Sequence, residues 1–325
     1  MLNRHPENPI LTRADIPAST GISDASSVFN PGAVFFKERI HLLLRVQSRS
    51  RSTSLVMASS SDGVHFEVAE TPVHFDGLER ESRPIYHVYD PRLTVIEDEI
   101  VVFFAADMED ACRVGTARTT DLESFEFLGF SELPSRNAVL FPERVGGRYL
   151  RLERLNARVT AGGVATGDAV SLADSDNLVD WNVREEPVFA GRPRYWDELI
   201  GSGPPPVKTR AGWLHIYHGV ATHFASSNIY QAGAVLLDLE NPARVIARSW
   251  NNILEPREAY ELTGQVPNVV FPSGWIVRDL DADGFAVNSS EVLIYYGAAD
   301  TCVGLATTTV GDLLAACVPV GESRE

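Results

Sequence analysis

The sequence predicts an all-β protein folded as a five-bladed β-propeller, in one domain that spans residues 1–325. Three observations predict this class. A unit of about 60 residues recurs five times, each unit contains at least three strand-like runs, and helical periodicity is almost absent apart from a short stretch at 311–316. The composition, with 44% apolar residues, is that of a globular chain able to bury a large core.

The repeat is clearest in a pair of adjacent strands. The first strand of each pair is an apolar run, such as HLLLRV at 41–46 or VLIYYGAAD at 292–300, and the second ends in small residues and a Ser/Thr/Asp turn. An alanine occupies the same place in every second strand, at spacings of 59, 56, 61 and 72 residues. These alanines are Ala58, Ala117, Ala173, Ala234 and Ala306.

A further apolar run precedes each pair, for example PGAVFF at 31–36 and DPRLTVI at 90–96. Stretches such as 65–71 and 125–130 suggest a fourth, weaker strand in each unit. A β-sandwich is the competing architecture, but it does not explain five similar units. In a propeller the first strand of each blade lines the axis, so polar residues on those strands are the candidates for a site.

The charge balance excludes one class of partner. The chain has 28 basic and 44 acidic residues, a net charge of −16, and its only lysines are Lys37 and Lys208. A nucleic-acid surface needs many cations, so no nucleic acid is expected, and any anion site must be local and built from arginines. Residues 1–12 lack the apolar segment of a secretory signal, and no run is long enough to span a bilayer. We therefore expect a cytoplasmic protein with no membrane partner.

Polar residues recur at the predicted axial strands. Asp90 in VYDPR begins the second of them, Asn30 in FNPG occupies the equivalent place in the first, and Asn268 does so in the fifth. Arg136 and Asn137 hold that place in the third unit. An Asx-Pro pair is by itself more typical of a turn, but its position in the repeat favours a site at one mouth of the channel.

Arginines lie among leucines on two further strands. Arg45 ends the run LLLR, and Arg154 shares a strand face with Leu150 and Leu152. A buried arginine requires a partner, so an internal Arg–carboxylate pair is the simplest interpretation of any one of them. Arg45, Arg136 and Arg154 together, in an acidic protein, favour an oxyanion ligand instead, because guanidinium groups bind phosphate through two hydrogen bonds. Asp300 adds a second carboxylate.

Other chemistries lack support. His215 and His218 are three residues apart on a strand and therefore face opposite ways, so no metal site is expected. The glycines at 201–203 lack the lysine of a phosphate-binding loop, and no GxSxG motif occurs. Three cysteines without CxxC spacing indicate neither a disulfide framework nor a zinc site.

The strings FNPGAV, VYDPR, RNAVLFPE, GSGPPPVKT with GWLHIYHGV, ILEPREAYE, and VPNVVFP with YYGAAD resemble glycoside hydrolase family 130. The resemblance extends from about residue 8 to about residue 308. That family comprises inverting β-mannoside phosphorylases and related β-1,2-mannosidases on a five-bladed propeller, so the resemblance agrees with the fold that the repeat predicts.

The resemblance also implies roles for particular residues. Asp90 matches the single catalytic acid of the family. Its phosphorylases often have a lysine just before the IGxG string, where this chain has Leu199 preceded by Glu198, which could activate a water in a hydrolase. The matching sugar-binding positions are Asn30, Arg45, Tyr89 and Asp300, and the matching phosphate-binding positions are Arg136, Arg154 and His218.

Together these features predict an enzyme that cleaves terminal β-mannosides with inorganic phosphate. A hydrolase that inverts needs both an acid and a base carboxylate, whereas a phosphorylase needs one acid and cations that hold phosphate. We expect α-mannose 1-phosphate as product, phosphate as co-substrate and no other cofactor. The oligomeric state stays open, and a homo-oligomer is compatible with the sequence.

Two alternatives remain. The first is an exo-β-mannosidase of the same fold that uses water. The second is a propeller that only binds carbohydrate, through aromatic residues such as Trp196, Phe224 and Tyr230.

Overall fold

A computed structural model describes residues 2–22, 24–159, 165–222 and 227–321, and these form the predicted five-bladed β-propeller. In each blade the first three strands are antiparallel and follow one another in the chain from the axis outward. The innermost strands are Ala25–Phe36, Ile85–Ile96, Ser135–Leu140, the pair Leu199–Ser202 and Val207–Thr209, and Val270–Val277.

The second and third strands of each blade are the pairs that define the repeat. The five alanines used to align the units are all buried and lie in the third strands. The second strands are Arg39–Ser48, Glu99–Met108, Tyr149–Leu155, Gly212–Ala221 and Glu291–Ala298. The third strands are Thr53–Ser60, Cys112–Thr119, Ala169–Ser175, Ile229–Leu237 and Cys302–Thr309.

The fourth, outer strands are the least regular part of the blades. In blades 1 to 4 they are Glu67–Pro72, Phe125–Phe130, the short pieces Asn182–Val183 and Phe189–Ala190, and Val245–Ser249. Phe75–Asp76 adds a parallel strand to the edge of blade 2, and Arg158–Val159 pairs with Ala165–Thr166.

The two ends of the described chain close the ring. Asn3–Arg4 forms the outer strand of blade 5, with Arg4 opposite Ala306, and Cys317–Pro319 extends blade 4 beyond Val245–Ser249. The Arg4 guanidinium makes a bidentate ion pair with the buried carboxylate of Glu261, at 2.7 and 2.8 Å. This pair fixes the closing strand on the rest of the ring.

Helical structure is short, as predicted. The stretch expected at 311–316 is the helix Val310–Ala316, which is capped by the Thr309 hydroxyl. The other helical segments are Ala259–Leu262 and the 3₁₀ turns Arg13–Asp15, Ala18–Thr20 and Leu78–Arg80. Among the described residues, no helix is long and apolar enough to cross a membrane.

The core lies between the blades. A buried apolar cluster fills each of the five blade-to-blade interfaces, built from side chains on facing sheets. Sheets must bury an apolar face to be stable, and a ring lets every blade do so on both sides. The result is a closed frame around the axis, where polar side chains meet.

Candidate functional site

One cavity of about 280 Å³ lies on the propeller axis, and all five blades contribute to its wall. It contains all eight residues that the sequence assigned to sugar, phosphate or acid: Asn30, Arg45, Tyr89, Asp90, Arg136, Arg154, His218 and Asp300. The remaining lining residues are Asp107, Asn137, Tyr230, Val266, Val269 and Phe271. Its size suits a sugar-sized ligand rather than a larger one.

A repeated β-bulge directs polar side chains into this cavity. The pairing of the first three inner strands shifts register at Asn30, Asp90 and Asn137, and these residues have φ values of 47°, 52° and 56°. This left-handed conformation is unfavourable for most residues but accessible to Asn and Asp. A bulge re-aims the side chain at that point, which explains the Asx residue in the first three units.

In the third unit the residue at the bulge is therefore Asn137, with Arg136 just before it. Asn268 of the fifth unit also has a positive φ, of 61°, but its side chain donates to the Ser227 hydroxyl and is not among the lining residues.

Asp90 is held by two donors from blade 1. Its Oδ1 accepts a hydrogen bond from Asn30 Nδ2 at 2.9 Å and from Arg45 Nη1 at 3.0 Å, so Oδ2 is left without a partner among the described residues. The Arg45 guanidinium lies between the rings of Phe29 and Tyr89, at 4.4 and 4.6 Å from their centres. The internal Arg–carboxylate pair considered from the sequence thus holds for Arg45.

Arg92 supports the bulge from beneath. It is 1% exposed, and its Nη1 donates to the carbonyl oxygens of Asp90 and Pro91, at 3.1 and 3.0 Å, while Nε donates to that of Gly203 at 2.6 Å. Burial lowers the pKa of Arg92 to about 10, partly offset by the nearby Asp90 charge. The sequence analysis missed this residue, although VYDPR places it two positions after Asp90.

Arg136 and Arg154 are different, because neither makes an ion pair or hydrogen bond with any described residue. They lie opposite each other on neighbouring strands of blade 3. Burial, reinforced by the charge of Arg136, lowers the pKa of Arg154 to about 10. Two adjacent cations without a carboxylate, in a chain of net charge −16, form a site that favours an anion.

His218 stands beside this pair, on blade 4. Its ring packs against Phe271 and Tyr230, and Gly201 makes room for it, since a Cβ at position 201 would lie 2.5 Å from the ring. Burial, followed by the charges of Arg154 and Arg92, holds the pKa of His218 well below its usual value. The ring is therefore neutral at physiological pH, and its N–H can donate to an anion. His215 is not among the residues that line the cavity.

Two carboxylates complete the wall. Burial raises the pKa of Asp300 to about 6, against the influence of Arg45 and with a smaller contribution from Asp90. Asp107, which the sequence analysis did not select, accepts a hydrogen bond from the Tyr89 hydroxyl at 2.7 Å. A polar residue closing the run IVVFFAAD was its only signal, the same signal that marked Asp300 in YYGAAD.

Glu198 is not brought into the cavity. Its carboxylate accepts a hydrogen bond from the Thr222 hydroxyl, and the neighbouring Leu199 pairs with Val220 at the start of the inner strand. Of the aromatic residues considered for sugar binding, Tyr230 lines the cavity. Trp196 stacks on Tyr217 within blade 4, and Phe224 lies outside the described residues. In the described part of the chain, no group of three or more His, Cys, Asp or Glu residues could hold a metal ion.

The fold and the cavity define a class of protein, a five-bladed propeller with a small polar cavity on its axis, where two arginines have no ion-pair partner among the described residues. Comparison with known proteins identifies the family. The model of glycoside hydrolase family 130, described as β-1,4-mannooligosaccharide phosphorylase, matches residues 1–318. The chain belongs to this family.

Individual relatives agree with the assignment. A β-1,4-mannooligosaccharide phosphorylase of Ruminococcus albus is 32% identical over 96% of this chain and 89% of its own length. A 1,2-β-oligomannan phosphorylase of Thermoanaerobacter is 31% identical over 96% and 98%. Among solved structures, β-1,2-mannobiose phosphorylase of Listeria innocua, in complex with β-1,2-mannobiose, superposes with a TM-score of 0.80 at 26% identity, covering 97% of this chain and 98% of the other.

Proposed function

We propose that the protein is a β-mannoside phosphorylase that transfers a terminal β-mannosyl unit to inorganic phosphate with inversion. The observation that carries the proposal concerns Arg136 and Arg154, which lie beside neutral His218. Their guanidinium groups have no ion-pair partner among the described residues. A neutral sugar does not need two adjacent cations that lack a carboxylate partner, whereas phosphate binds them with charge-assisted hydrogen bonds.

The proposed acid and the proposed anion site belong to different blades. Asp90 lies on the inner strand of blade 2 and is held by Asn30 and Arg45 of blade 1, while Arg154 and His218 belong to blades 3 and 4. An inverting reaction needs its nucleophile and its acid on opposite faces of the sugar. A mannosyl ring between these two walls meets that requirement.

In the reaction a phosphate oxygen attacks the anomeric carbon as the bond to the glycosidic oxygen breaks. Asp90 gives its proton from Oδ2, the oxygen without a protein partner, to the leaving oxygen, either directly or through a sugar hydroxyl. The products are α-mannose 1-phosphate and an acceptor shortened by one sugar. Phosphate is a co-substrate in this scheme, and it brings its own nucleophilic oxygen.

The water-using alternative needs a base carboxylate on the wall opposite the acid. The residues that line this wall from blades 3 and 4 are Arg136, Asn137, Arg154, His218 and Tyr230, and none of these described residues is a carboxylate. Glu198, the candidate base, is engaged by Thr222 outside the cavity. Both observations favour phosphate over water.

The test is incubation of the protein with β-1,2- and β-1,4-linked mannobiose, each with and without inorganic phosphate. We expect α-mannose 1-phosphate to form only with phosphate, and Asp90→Asn to serve as the inactive control. Release of free mannose at the same rate without phosphate would refute the proposal and support the mannosidase.

A further inference from the structure

Asp90, the proposed acid, stands on an unusual piece of backbone. The register of its strand shifts after Tyr89, so Asp90 and Pro91 together lie opposite a single residue of the next strand. At this bulge Asp90 has a φ of 52°. Backbone in such a sparsely populated conformation persists only where its surroundings hold it there. The contacts that hold the bulge therefore set where the carboxyl group points.

Arg92 holds both carbonyl groups of the bulge and joins them to another blade. Its Nη1 donates to the carbonyl oxygens of Asp90 and Pro91, at 3.1 and 3.0 Å, and its Nε donates to that of Gly203, at 2.6 Å. Gly203 follows the inner strand of blade 4, which pairs with the strand of His218. One planar guanidinium thus links the backbone under the acid to the strand beside the proposed anion site.

We propose that Arg92 is a positioning residue for acid catalysis, which fixes the Asp90 carboxyl group in place without contacting the substrate. It is 1% exposed and is not among the residues that line the cavity. The inference rests on the proposed function only in taking Asp90 as the acid, a role that an inverting enzyme needs with phosphate or with water as nucleophile. A displacement of about 1 Å at a reacting group can lower a rate roughly a hundredfold, so holding the carboxyl group contributes measurably to the rate.

The bulge of blade 1 shows that such a carbonyl group can be satisfied without a charge. Asn30 and Pro31 form the same bulge there, and the Pro31 carbonyl oxygen accepts a hydrogen bond from the buried hydroxyl of Ser273, on blade 5, at 2.8 Å. Arg92 is instead a buried cation that forms no ion pair with any described residue. A buried charge without a counterion costs stability. The arginine is nevertheless suited to this place, because it spans from blade 2 to blade 4, which a hydroxyl could not do.

The test compares Arg92→Met and Arg92→Lys with the wild type on the mannobiose that the protein cleaves and on dinitrophenyl β-mannoside. Dinitrophenolate leaves without a proton, so its release does not need the acid. We expect Arg92→Met to lower kcat on mannobiose by roughly ten- to a hundredfold and to leave the KM for mannobiose nearly unchanged. The rate on the dinitrophenyl substrate should fall by less than about threefold. Arg92→Lys keeps the charge but not the planar fork, so it should recover only part of the kcat.

Arg151→Met is the matched control, because Arg151 is another arginine that is 1% exposed, does not line the cavity and pairs with Glu153. Its loss should leave the ratio of the two rates unchanged, even where the fold is less stable. Circular dichroism checks that each variant is folded. Equal losses on both substrates with Arg92→Met, or an unchanged kcat on mannobiose, would overturn the positioning role while leaving the phosphorylase intact.

A double variant provides a second test on mannobiose alone. A residue that acts only through Asp90 should add little further loss once Asp90 is replaced by Asn, whereas independent effects multiply. Full multiplication of the two losses when Asp90→Asn and Arg92→Met are combined would therefore also overturn the proposal. If Arg92→Met does not fold, Arg92→Lys takes its place in both tests. Release of mannose by the wild type without phosphate would refute the phosphorylase alone, because both comparisons concern the acid and not the nucleophile.

Discussion

Arg154 presents a trade-off between stability and phosphate binding that can be measured. Burial lowers the pKa of Arg154 to about 10, and each pKa unit corresponds to about 1.4 kcal/mol, so charged Arg154 costs the folded state about 3 kcal/mol relative to its neutral form. At neutral pH the guanidinium is charged in both the folded and the unfolded chain, so this cost is fully present. Replacing a buried ion by an apolar side chain of similar length often stabilises a protein by about 1–4 kcal/mol.

We therefore expect Arg154→Met to raise the free energy of unfolding in phosphate-free buffer by about 1–3 kcal/mol. Bound phosphate should instead stabilise the wild type more than the variant. At a concentration of about 100 times its dissociation constant it stabilises the wild type by about 2.7 kcal/mol. Losing a charge-assisted contact weakens binding roughly ten- to a hundredfold, and at the larger value the same phosphate stabilises the variant by only about 0.4 kcal/mol.

The assay is urea unfolding followed by circular dichroism, with and without phosphate, alongside Arg13→Met as an exposed control. The same variant should raise the KM for phosphate in the steady-state rate and change the KM for the mannoside much less. A variant that is less stable than the wild type without phosphate, yet keeps the full phosphate increment, would refute the assignment of Arg154 to the anion site.

Three further predictions concern the carboxylates. Asp90→Asn should lower the rate on a mannoside with a poor leaving group by roughly 100- to 10,000-fold. The circular dichroism spectrum should stay unchanged, because Asn tolerates the same left-handed backbone. A near wild-type rate would exclude Asp90 as the acid. Glu198→Gln should leave kcat almost unchanged, because the carboxylate accepts a hydrogen bond from Thr222 outside the cavity. Added azide should not alter the kcat of this variant. A severe loss of activity that azide rescues would point to the mannosidase. Burial raises the pKa of Asp300 from 3.8 to about 6, so its contribution to stability is complete below pH 4 and is lost as the pH rises through 6. Asp300→Asn should therefore gain up to about 3 kcal/mol over the wild type between pH 4 and pH 8 in urea unfolding, and a gain that does not grow with pH would contradict the burial of a charged Asp300.

The fold could be predicted because every blade of a propeller must meet the same packing requirements. Each third strand must pack a small residue between two sheets, and the buried alanines from Ala58 to Ala306 reveal that spacing without any contact information. The weak outer strands were harder to predict, since they contribute few buried residues. That Asn3–Arg4 completes blade 5 could not be read from the repeat, because its partner strand is about 300 residues away.

The residues that line the cavity could be predicted, but not which of them form ion pairs with one another. A polar residue that interrupts an apolar strand marks Asp90, Arg154 and Asp300. The sequence cannot show which arginine forms an ion pair with a carboxylate. The structure separates Arg45, paired with Asp90, from Arg154, which has no partner among the described residues. Glu198 was selected from the sequence but does not line the cavity. Its position beside the GSG string does not show the direction of its side chain.

The closing strand makes the site depend on the latest stage of folding. Arg4 can pair with Ala306 only after residue 306 has been synthesised, and contacts of such long sequence separation form slowly. Every blade contributes a wall of the cavity, so chains released early from the ribosome cannot assemble a working centre. Such fragments would also leave the last strand that they contain unpaired, which favours aggregation. An added segment that holds residues 3–4 away from Ala306 should therefore delay the appearance of activity during refolding more than that of strand structure.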